Sequence, residues 1–292
     1  MLGNNIKMRK QLKDELKEMY RQGEGVKRHD VKDEHNHTPY IHSSTTLKTY
    51  KQQVDHFCDY WKEKGCVTWQ HTDTIKKMAA EYIEHLKAEG KSAWTIQTAA
   101  CAIAKALHCS TRDFDVEIPK RERNNITRSR YEVEKDKHVS KAQNEAVINF
   151  CKCTGLRRHE LEKLKAEDCS IGYGGIITIY VKSGKGGKSR KVAVLGTSSE
   201  LEQIRKLVAD KEGKVFQHVS KALDIHSYRA IYAARAYKYK ERDLDKLDSS
   251  ELYRCRGDRK GEVYDKAAMQ YASTMLGHNR LEVIAYSYLH TL

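Results

Sequence analysis

Apolar residues recur at intervals of three and four in three consecutive stretches between residues 43 and 109. The apolar face of the first stretch consists of Leu47, Tyr50, Val54, Phe57, Cys58 and Trp61. The side chain of Thr72 or Asp73 can cap the second stretch, and Ser92 can cap the third, which is rich in small residues. This spacing predicts three amphipathic α-helices that pack into one helical domain over residues 43–112.

Residues 1–42 are dense in Lys, Glu, Arg and His and contain few apolar positions. We predict a short helix from Ile6 to Tyr20, followed by a Gly- and His-rich run as far as Pro39. The expected structure is a charged N-terminal extension with little core of its own. Three of its histidines, His29, His35 and His37, are scattered along a polar stretch, and this favours solvated surface over a metal site.

Helical periodicity is lost over residues 113–137, which contain Pro119 and a series of basic residues. The basic residues are Lys120, Arg121, Arg123, Arg128 and Arg130. We interpret this segment as a basic interdomain linker. Linkers are commonly charged, but a basic linker between two basic domains also suits a protein that closes around a duplex.

Residues 138–292 mix helical periodicity with one alternating stretch. Helices are predicted from Ser140, over residues 199–210, after Asp224, over residues 267–276, and over the C-terminal stretch LEVIAYSYLHTL. β-Branched and polar residues alternate on both sides of the Gly-rich turn in GGIITIYVKSGKGGKSRKVAVL, which predicts a β-hairpin. Residues 238–262, rich in both charges, are predicted to form an exposed insertion. The expected fold class is mainly α, with a small β-hairpin or sheet that makes this second domain α+β.

The chain has 54 Lys and Arg residues against 40 Asp and Glu residues, and its formal net charge is +14 at pH 7. This excess favours a polyanionic partner such as nucleic acid. Five lysines surround the first helical domain, where they could contact phosphates or simply be solvated: Lys48, Lys51, Lys76, Lys77 and Lys91.

The 8 cysteines form no C-x-x-C pair, and Cys151 and Cys153 fall in an apolar stretch beside Phe150. They are predicted to be reduced core residues, and no zinc site is predicted. The sequence shows no apolar signal segment and no run long enough to span a bilayer. We therefore expect a soluble protein of the cytoplasm.

The stretch TGLRRHELEKL, residues 154–164, places an arginine among leucines. On a helical wheel, Arg157 and Glu160 share one arc with Leu156, Leu161 and Leu164. A guanidinium in such a position is costly unless its five donors are used, and Glu160 can take only some of them. Either Arg157 and Glu160 form a structural ion pair, or the remaining donors bind an external anion.

Further polar residues stand out in the segments that follow. Lys185 lies in the Gly-rich turn, His226 and Arg229 are spaced i, i+3 on a predicted helix, and His278 ends the sequence LGH. Two arginines, a lysine and two imidazoles are donors suited to a phosphate whose oxygens gain charge in a displacement reaction. The Gly-rich turn lacks the GK[ST] sequence followed by a helix, so a nucleotide-binding loop is not predicted there.

The order of these motifs is TGLRxxEL, a hairpin with GKGxKxR, HxxR, LGH and a terminal tyrosine. It resembles the tyrosine recombinase (phage integrase) family over residues 43–292, and the helical domain resembles the core-binding domain of that family. The resemblance implies that Tyr288 or Tyr286 attacks a DNA phosphodiester to give a 3′-phosphotyrosyl link and a free 5′-hydroxyl. Arg157 and Arg229 would hold the non-bridging oxygens, and Lys185 would protonate the departing 5′-oxygen.

By the same resemblance, His226 would act as acid and base for the tyrosine proton, His278 would donate to the phosphate, and Glu160 would orient Arg157. The phosphotyrosyl link stores the bond energy, so neither ATP nor a metal cofactor is implied. Contacts to DNA are expected from Lys48, Lys51, Lys76, Lys77, Lys91, Arg121, Arg123, Lys188 and Arg190.

The implied function is site-specific cutting and rejoining of double-stranded DNA, as an integrase or recombinase of a mobile genetic element. A homo-oligomer, tetrameric on synapsed sites and associated with the nucleoid, would carry it out. Two alternatives are a catalytically silent DNA-binding protein of the same fold and a type IB topoisomerase that relaxes DNA without a defined site.

Three features depart from the commoner family pattern. The interval from Arg229 to His278 is longer than in compact relatives, as the charged insertion would explain. Few residues follow Tyr288, so we expect the C-terminal helix that many relatives exchange between protomers to be missing. The family's nucleophile commonly lies nine residues beyond the histidine, where this chain has Ser287. We favour Tyr288 over Tyr286, because Ser287, Tyr288 and Leu289 match the ending of many LGHNR-type integrases.

Overall fold

The computed structural model describes residues 2–34, 37–65, 72–122, 125–126, 136–184, 188–209 and 212–289. The chain divides into two compact units, Met1–Arg121 and Glu122–Leu292. This division falls inside the segment 113–137 that was interpreted as a linker. Among the described residues, no helix is long and apolar enough to cross a membrane.

The described part of the first unit is helical. Its helices are α1 (Leu2–Gly23), α2 (Arg28–Val31), α3 (Ser44–Glu63), α4 (Thr72–Ala88) and α5 (Ala93–Ala106). Three of them, α3, α4 and α5, are the predicted amphipathic helices. The hydroxyl of Ser43 caps α3 by accepting from the Thr46 N–H, and Ser92 caps α5 through Thr95.

The N-terminal helix contradicts the prediction of an extension with little core. Met8, Leu12, Leu16 and Met19 are buried in the same apolar cluster as α3, α4 and α5. Helix α1 packs against α3 and α5. The prediction was wrong because these four residues form a narrow stripe at helical spacing within a stretch whose average composition is polar.

The two ends of the predicted linker belong to different units. Phe114 is buried in the core of the first unit, and Val116 and Ile118 pack against that core. Asp136, near the other end, is buried in the second unit, where it accepts a hydrogen bond from the Tyr228 hydroxyl. Arg123, predicted to contact DNA, lies outside the described residues.

The second unit is α+β, and the fold class predicted from sequence is confirmed. Its helices are α6 (Glu145–Thr154), α7 (Arg158–Lys163), α8 (Ser198–Val208), α9 (Ile225–Lys240), α10 (Lys266–Leu276) and α11 (Leu281–Ser287). Its strands are β1 (Cys169–Ile171), β2 (Ile177–Val181), β3 (Arg190–Ala193), β4 (Leu252–Arg254) and β5 (Val263–Asp265). The predicted hairpin is present as the antiparallel pair β2 and β3, in which Val181 faces Arg190. The short strand β1 adds a third strand beside β2.

Helix α9 lies at the centre of the second unit. It packs against both α6 and α10, and its small residues Ala230, Ala233 and Ala236 are buried. The segment predicted to be an exposed insertion, residues 238–262, contains strand β4, which pairs with β5 just beyond it. Cys255 is the one buried residue among those of this segment whose burial the structure describes, so the prediction of exposure holds for most of it.

Candidate active site

Arg157 does not lie within a helix, so the helical-wheel prediction is wrong. Helix α6 ends at Thr154, and Gly155 follows with φ 59° in the left-handed region. A Cβ at Gly155 would collide with the ring of Tyr232, so glycine serves both the turn and the close packing there. Arg157 then has extended backbone (φ −76°, ψ 157°) and precedes the first residue of α7. It projects from the junction between two helices.

Glu160 is the carboxylate around which this junction is organised. Its side chain is 1% exposed, against 17% for Arg157. Its Oε2 accepts from the backbone N–H of Arg157 at 2.8 Å, and its Oε1 accepts from Nη1 of the same residue at 2.9 Å. Burial alone would raise the pKa of Glu160, but hydrogen bonds from Arg190 and from the Arg157 backbone lower it to about 2. The predicted ion pair is therefore present.

Arg190 lies in a different place from the one expected of a DNA contact. Its side chain is 8% exposed, and Nη1 and Nη2 donate to the two oxygens of Glu160 at 2.9 and 2.8 Å. Its Nε donates to the carbonyl of Met275 at 2.9 Å. A Cβ at Gly277 would lie 3.1 Å from Cδ of Arg190, so the loop before His278 packs directly on this side chain. Arg190 faces inward because a buried carboxylate needs cationic and hydrogen-bonding partners.

Arg229, which is 2% exposed, is held by neutral groups. Its Nη1 donates to the carbonyl of Gly155 and its Nη2 to the carbonyl of Leu276. Nη2 of Arg157 donates to the same Leu276 carbonyl at 3.2 Å, so one backbone oxygen links the two guanidinium groups. Burial lowers the pKa of Arg229 to about 10, which leaves it charged at neutral pH.

The hydroxyl of Tyr288 lies between Arg229 and His278. It accepts from Nε of Arg229 at 3.1 Å and lies 3.2 Å from Nε2 of His278. The ring centroids of His226 and His278 lie 5.3 and 5.4 Å from that of Tyr288. His278 comes directly after Gly277, which ends α10 in the left-handed region at φ 67°. Four of the predicted site residues are thus brought together from α9, the loop after α10 and the end of α11.

Tyr286 is held elsewhere, although it is only two residues away. Its hydroxyl accepts from the backbone N–H of Arg256 at 2.7 Å and donates to the backbone carbonyl of Arg256 at 2.6 Å. Tyr286, like Leu281 and Val283, packs against the core of the second unit. Its hydrogen bonds to Arg256 were not foreseen.

Sequence reasoning missed two acidic residues: Asp224, which caps α9, and Asp136, which binds Asp224. Asp224 caps the helix by accepting from the Ser227 N–H at 3.2 Å, and it lies two residues before His226. Asp136 accepts from the Asp224 N–H at 2.9 Å and from the Tyr228 hydroxyl at 2.5 Å. An aspartate before a helical pattern is a capping signal that could have identified Asp224. Asp136 had no sequence signal, because it lies 88 residues from Asp224.

The remaining predicted residues are exposed or half-buried, or lie outside the described residues. Lys185, in the segment between β2 and β3, lies outside the described residues, and Lys188 is exposed. In the first unit, Lys48, Lys77, Lys91 and Arg121 are exposed, and Lys51 and Lys76 are half-buried. Lys91 forms an ion pair with Glu89 at 3.3 Å. Among the described residues, no group of three or more His, Cys, Asp or Glu side chains is arranged to hold a metal ion.

Comparison with known proteins gives one family-model match and several structural matches. Residues 41–111 match the model of the phage integrase N-terminal SAM-like domain. The Tn1549 transposon integrase in complex with transposon right end DNA is 11% identical, with a TM-score of 0.49 over 82% of this chain and 89% of that chain. The XerH site-specific recombinase bound to difH substrate is 17% identical, with a TM-score of 0.49 over 85% of this chain and 77% of that chain. The search of curated proteins found no match.

Proposed function

We propose, from its resemblance to the tyrosine recombinase family and the geometry around Tyr288, that this chain is a site-specific recombinase that cuts and rejoins double-stranded DNA through a 3′-phosphotyrosyl intermediate. The observation that carries the proposal is the position of the Tyr288 hydroxyl, 3.1 Å from Nε of Arg229 and 3.2 Å from Nε2 of His278. A phenol in contact with a guanidinium and an imidazole has the partners needed for attack on a phosphate. By family resemblance, we also propose that the enzyme serves a mobile genetic element.

In the proposed reaction, the Tyr288 oxygen forms a bond to phosphorus while the bond from phosphorus to the 5′-oxygen breaks. The phenolic proton leaves to a base, and the departing 5′-oxygen takes a proton from an acid. The 3.2 Å contact supports Nε2 of His278 as the first acceptor of the phenolic proton, a role that the resemblance gives to His226. The resemblance gives the acid role to Lys185. Religation reverses each of these steps.

The two arginines supply positive charge to the phosphate as its oxygens become more negative. The contacts of Arg157 with Glu160 and Leu276 occupy two of its five N–H donors among the described residues. Arg157 is also partly exposed, so a phosphate oxygen can reach it. Arg229 is buried against Tyr288, and its Nε donates to the atom that would attack.

The experiment uses nicked duplex oligonucleotides, selected by binding from a randomised pool, in buffer containing EDTA. A nick lets the cut strand end diffuse away, so that the covalent complex accumulates. Wild-type protein should form an adduct resistant to denaturant. Tyr288→Phe should bind the same DNA without forming an adduct, and Tyr286→Phe should still form one. An adduct with Tyr288→Phe but none with Tyr286→Phe would move the nucleophile to Tyr286.

The two alternative functions predict different outcomes in the same assays. A catalytically silent DNA-binding protein would give no adduct with any selected duplex. A type IB topoisomerase would relax supercoiled plasmids that lack the selected site and would need no second site. A recombinase should exchange strands only between duplexes that both carry the site.

A further inference from the structure

The loop between β4 and β5, residues 255–262, contacts the chain on both sides of Tyr288. Before Tyr288, the backbone of Arg256 holds the Tyr286 hydroxyl through two hydrogen bonds of 2.7 and 2.6 Å. Nη1 of Arg259 donates to the carbonyl of Ala285. After Tyr288, Nη2 of Arg259 donates to the carbonyl of Leu289 at 3.5 Å. This one loop therefore forms hydrogen bonds both with α11 and with Leu289, the residue that follows the proposed nucleophile.

Arg259 is built into the fold for this contact. Its side chain is only 11% exposed, and its Nε donates to Glu262 at 2.6 Å. The hydroxyl of Tyr264 accepts from Nη2 of Arg259 at 2.7 Å and donates to Glu262 at 2.8 Å. Burial alone would lower the pKa of Arg259, but its hydrogen bond with Glu262 raises it. The guanidinium is therefore charged, and Glu262 and Tyr264 fix its orientation. It donates to carbonyls at the end of α11, where a cation is favourable.

Helix α11 depends on such contacts because it is short. It spans only 7 residues, and an isolated helix below roughly 12 residues is marginal in water. Tyr288 itself has left helical geometry, with φ −130° and ψ −37°. The position of its hydroxyl between Arg229 and His278 must therefore be set by what holds α11 against the rest of the unit.

We propose that residues 255–262 form a clasp that places Tyr288 against Arg229 and His278 of its own chain, with Arg259 and Tyr286 as positioning residues. The proposal rests on the proposed function, because it concerns delivery of the nucleophile. It explains the segment between α9 and α10, which sequence analysis treated as an exposed insertion. It also gives Tyr286 a role as an anchor of α11. The attacking tyrosine and the phosphate-binding arginine then come from the same protomer.

The main test separates placement of the nucleophile from the rest of the site. Arg259→Met removes the donors, and Arg254→Met is the matched control, because Arg254 is an exposed arginine of the same hairpin. With the selected nicked duplex, Arg259→Met should slow adduct formation by about tenfold or more, since a displaced nucleophile loses rate steeply. DNA binding should stay within about twofold, because the clasp is not proposed to touch DNA. Arg259→Lys, which keeps a donor and the charge, should recover part of the rate. Arg254→Met should behave as wild type.

A second readout removes the phenol altogether. In the Tyr288→Phe background, hydrogen peroxide serves as an external nucleophile that attacks the phosphate and expels the 5′-oxygen. Adding Arg259→Met to this background should leave peroxide-driven cleavage unchanged, because the clasp positions Tyr288 and not the phosphate-binding groups. Equal loss in both assays would overturn the proposal and assign Arg259 to the fold of the whole site.

A third readout needs no external nucleophile. A mixture of Tyr288→Phe protein and Arg229→Ala protein should form no adduct, because neither chain holds both groups. An adduct in this mixture would show that the tyrosine comes from another protomer, and it would overturn the clasp. Failure of the proposed function gives a different result, since wild-type protein would then form no adduct with any selected duplex.

Discussion

Arg190 holds both carboxylate oxygens of Glu160, at 2.9 and 2.8 Å, and so joins the β2–β3 hairpin to the junction that carries Arg157. Glu160 also accepts from the backbone and the side chain of Arg157. The same Arg190 donates to Met275, close to the loop that places His278. A single buried carboxylate therefore sets the relative positions of three segments of the proposed active site.

Glu160→Gln should destabilise the second unit, because it leaves Arg190 and Arg157 with positive charge that is buried or partly buried and no longer compensated. The expected loss in the free energy of unfolding is about 3 kcal/mol. Urea denaturation monitored by circular dichroism measures it. Glu162→Gln is the matched control, since Glu162 lies on the same short helix but is exposed. Equal stability of the two variants would contradict the structural role of Glu160.

The stability of the second unit should depend on acid pH through the same carboxylate. The pKa of Glu160 is lowered from 4.5 to about 2, so its contribution is fully present above pH 4.5 and is lost as pH falls towards 2. Asp265, whose pKa is lowered from 3.8 to about 2 chiefly by its hydrogen bond from Arg242, makes a similar contribution that is lost as pH falls from 3.8 towards 2. The stability difference between wild type and Glu160→Gln should therefore shrink between pH 4.5 and 2. A difference that stays constant over this range would show that Glu160 does not carry it.

Leu16→Ala should destabilise the first unit, contrary to what is expected of an extension with little core of its own. Leu16 is fully buried on α1, and removal of a buried leucine side chain costs about 3 kcal/mol. Thermal unfolding of the full chain gives the measurement. Lys17→Ala on the same helix is the control, because the Lys17 side chain is half exposed and pairs with Asp14 at the surface. If Leu16→Ala left the stability unchanged, α1 would contribute little to the core, as the sequence analysis predicted.

How much could be predicted from sequence differs between the elements and the site. Strong periodicity predicted α3, α4 and α5 and the β2–β3 hairpin, because burial of one face leaves a clear pattern. The stripe on α1 was hidden by the charged residues around it. The inward direction of Arg190 depends on its approach to Glu160, 30 residues away, and no local pattern encodes such a contact. Helical periodicity also continued across Gly155, where left-handed backbone interrupts the helix.

The choice between Tyr286 and Tyr288 also could not be made from the local sequence pattern. Tyr286 and Tyr288 both belong to an apolar helical pattern near the same histidine. The interval from His278 to each tyrosine differs by one residue from the usual nine of the family, so spacing alone does not choose between them. The choice of Tyr288 depended on family resemblance. In the structure, the two hydroxyls bind different partners, Arg229 and His278 for Tyr288 and the Arg256 backbone for Tyr286. Tertiary contacts therefore distinguish two tyrosines that the local pattern treats alike.

Arg157→Ala should lower the cleavage rate while leaving DNA affinity within a few-fold. In the proposed reaction, its guanidinium would make one phosphate contact among many, but it would stabilise charge that is largest in the transition state. The expected loss is on the order of 100-fold to 1,000-fold in the rate of adduct formation. Single-turnover cleavage and binding titrations on the same duplex separate the two effects. A parallel loss of folded protein would instead assign Arg157 to structure.

Lys185→Ala should slow cleavage of ordinary DNA, because the 5′-alkoxide leaves poorly without a proton. If Lys185 supplies that proton, a substrate with sulfur at the bridging 5′ position should restore the rate, since a thiolate leaves without protonation. Lys188→Ala is the comparison, because Lys188 is an exposed lysine in the same turn. Cleavage rates of each variant on the oxygen and sulfur substrates give the measurement. Rescue confined to Lys185→Ala supports Lys185 as the general acid. Rescue confined to Lys188→Ala would transfer the role to Lys188, and rescue of neither would place the acid outside this turn.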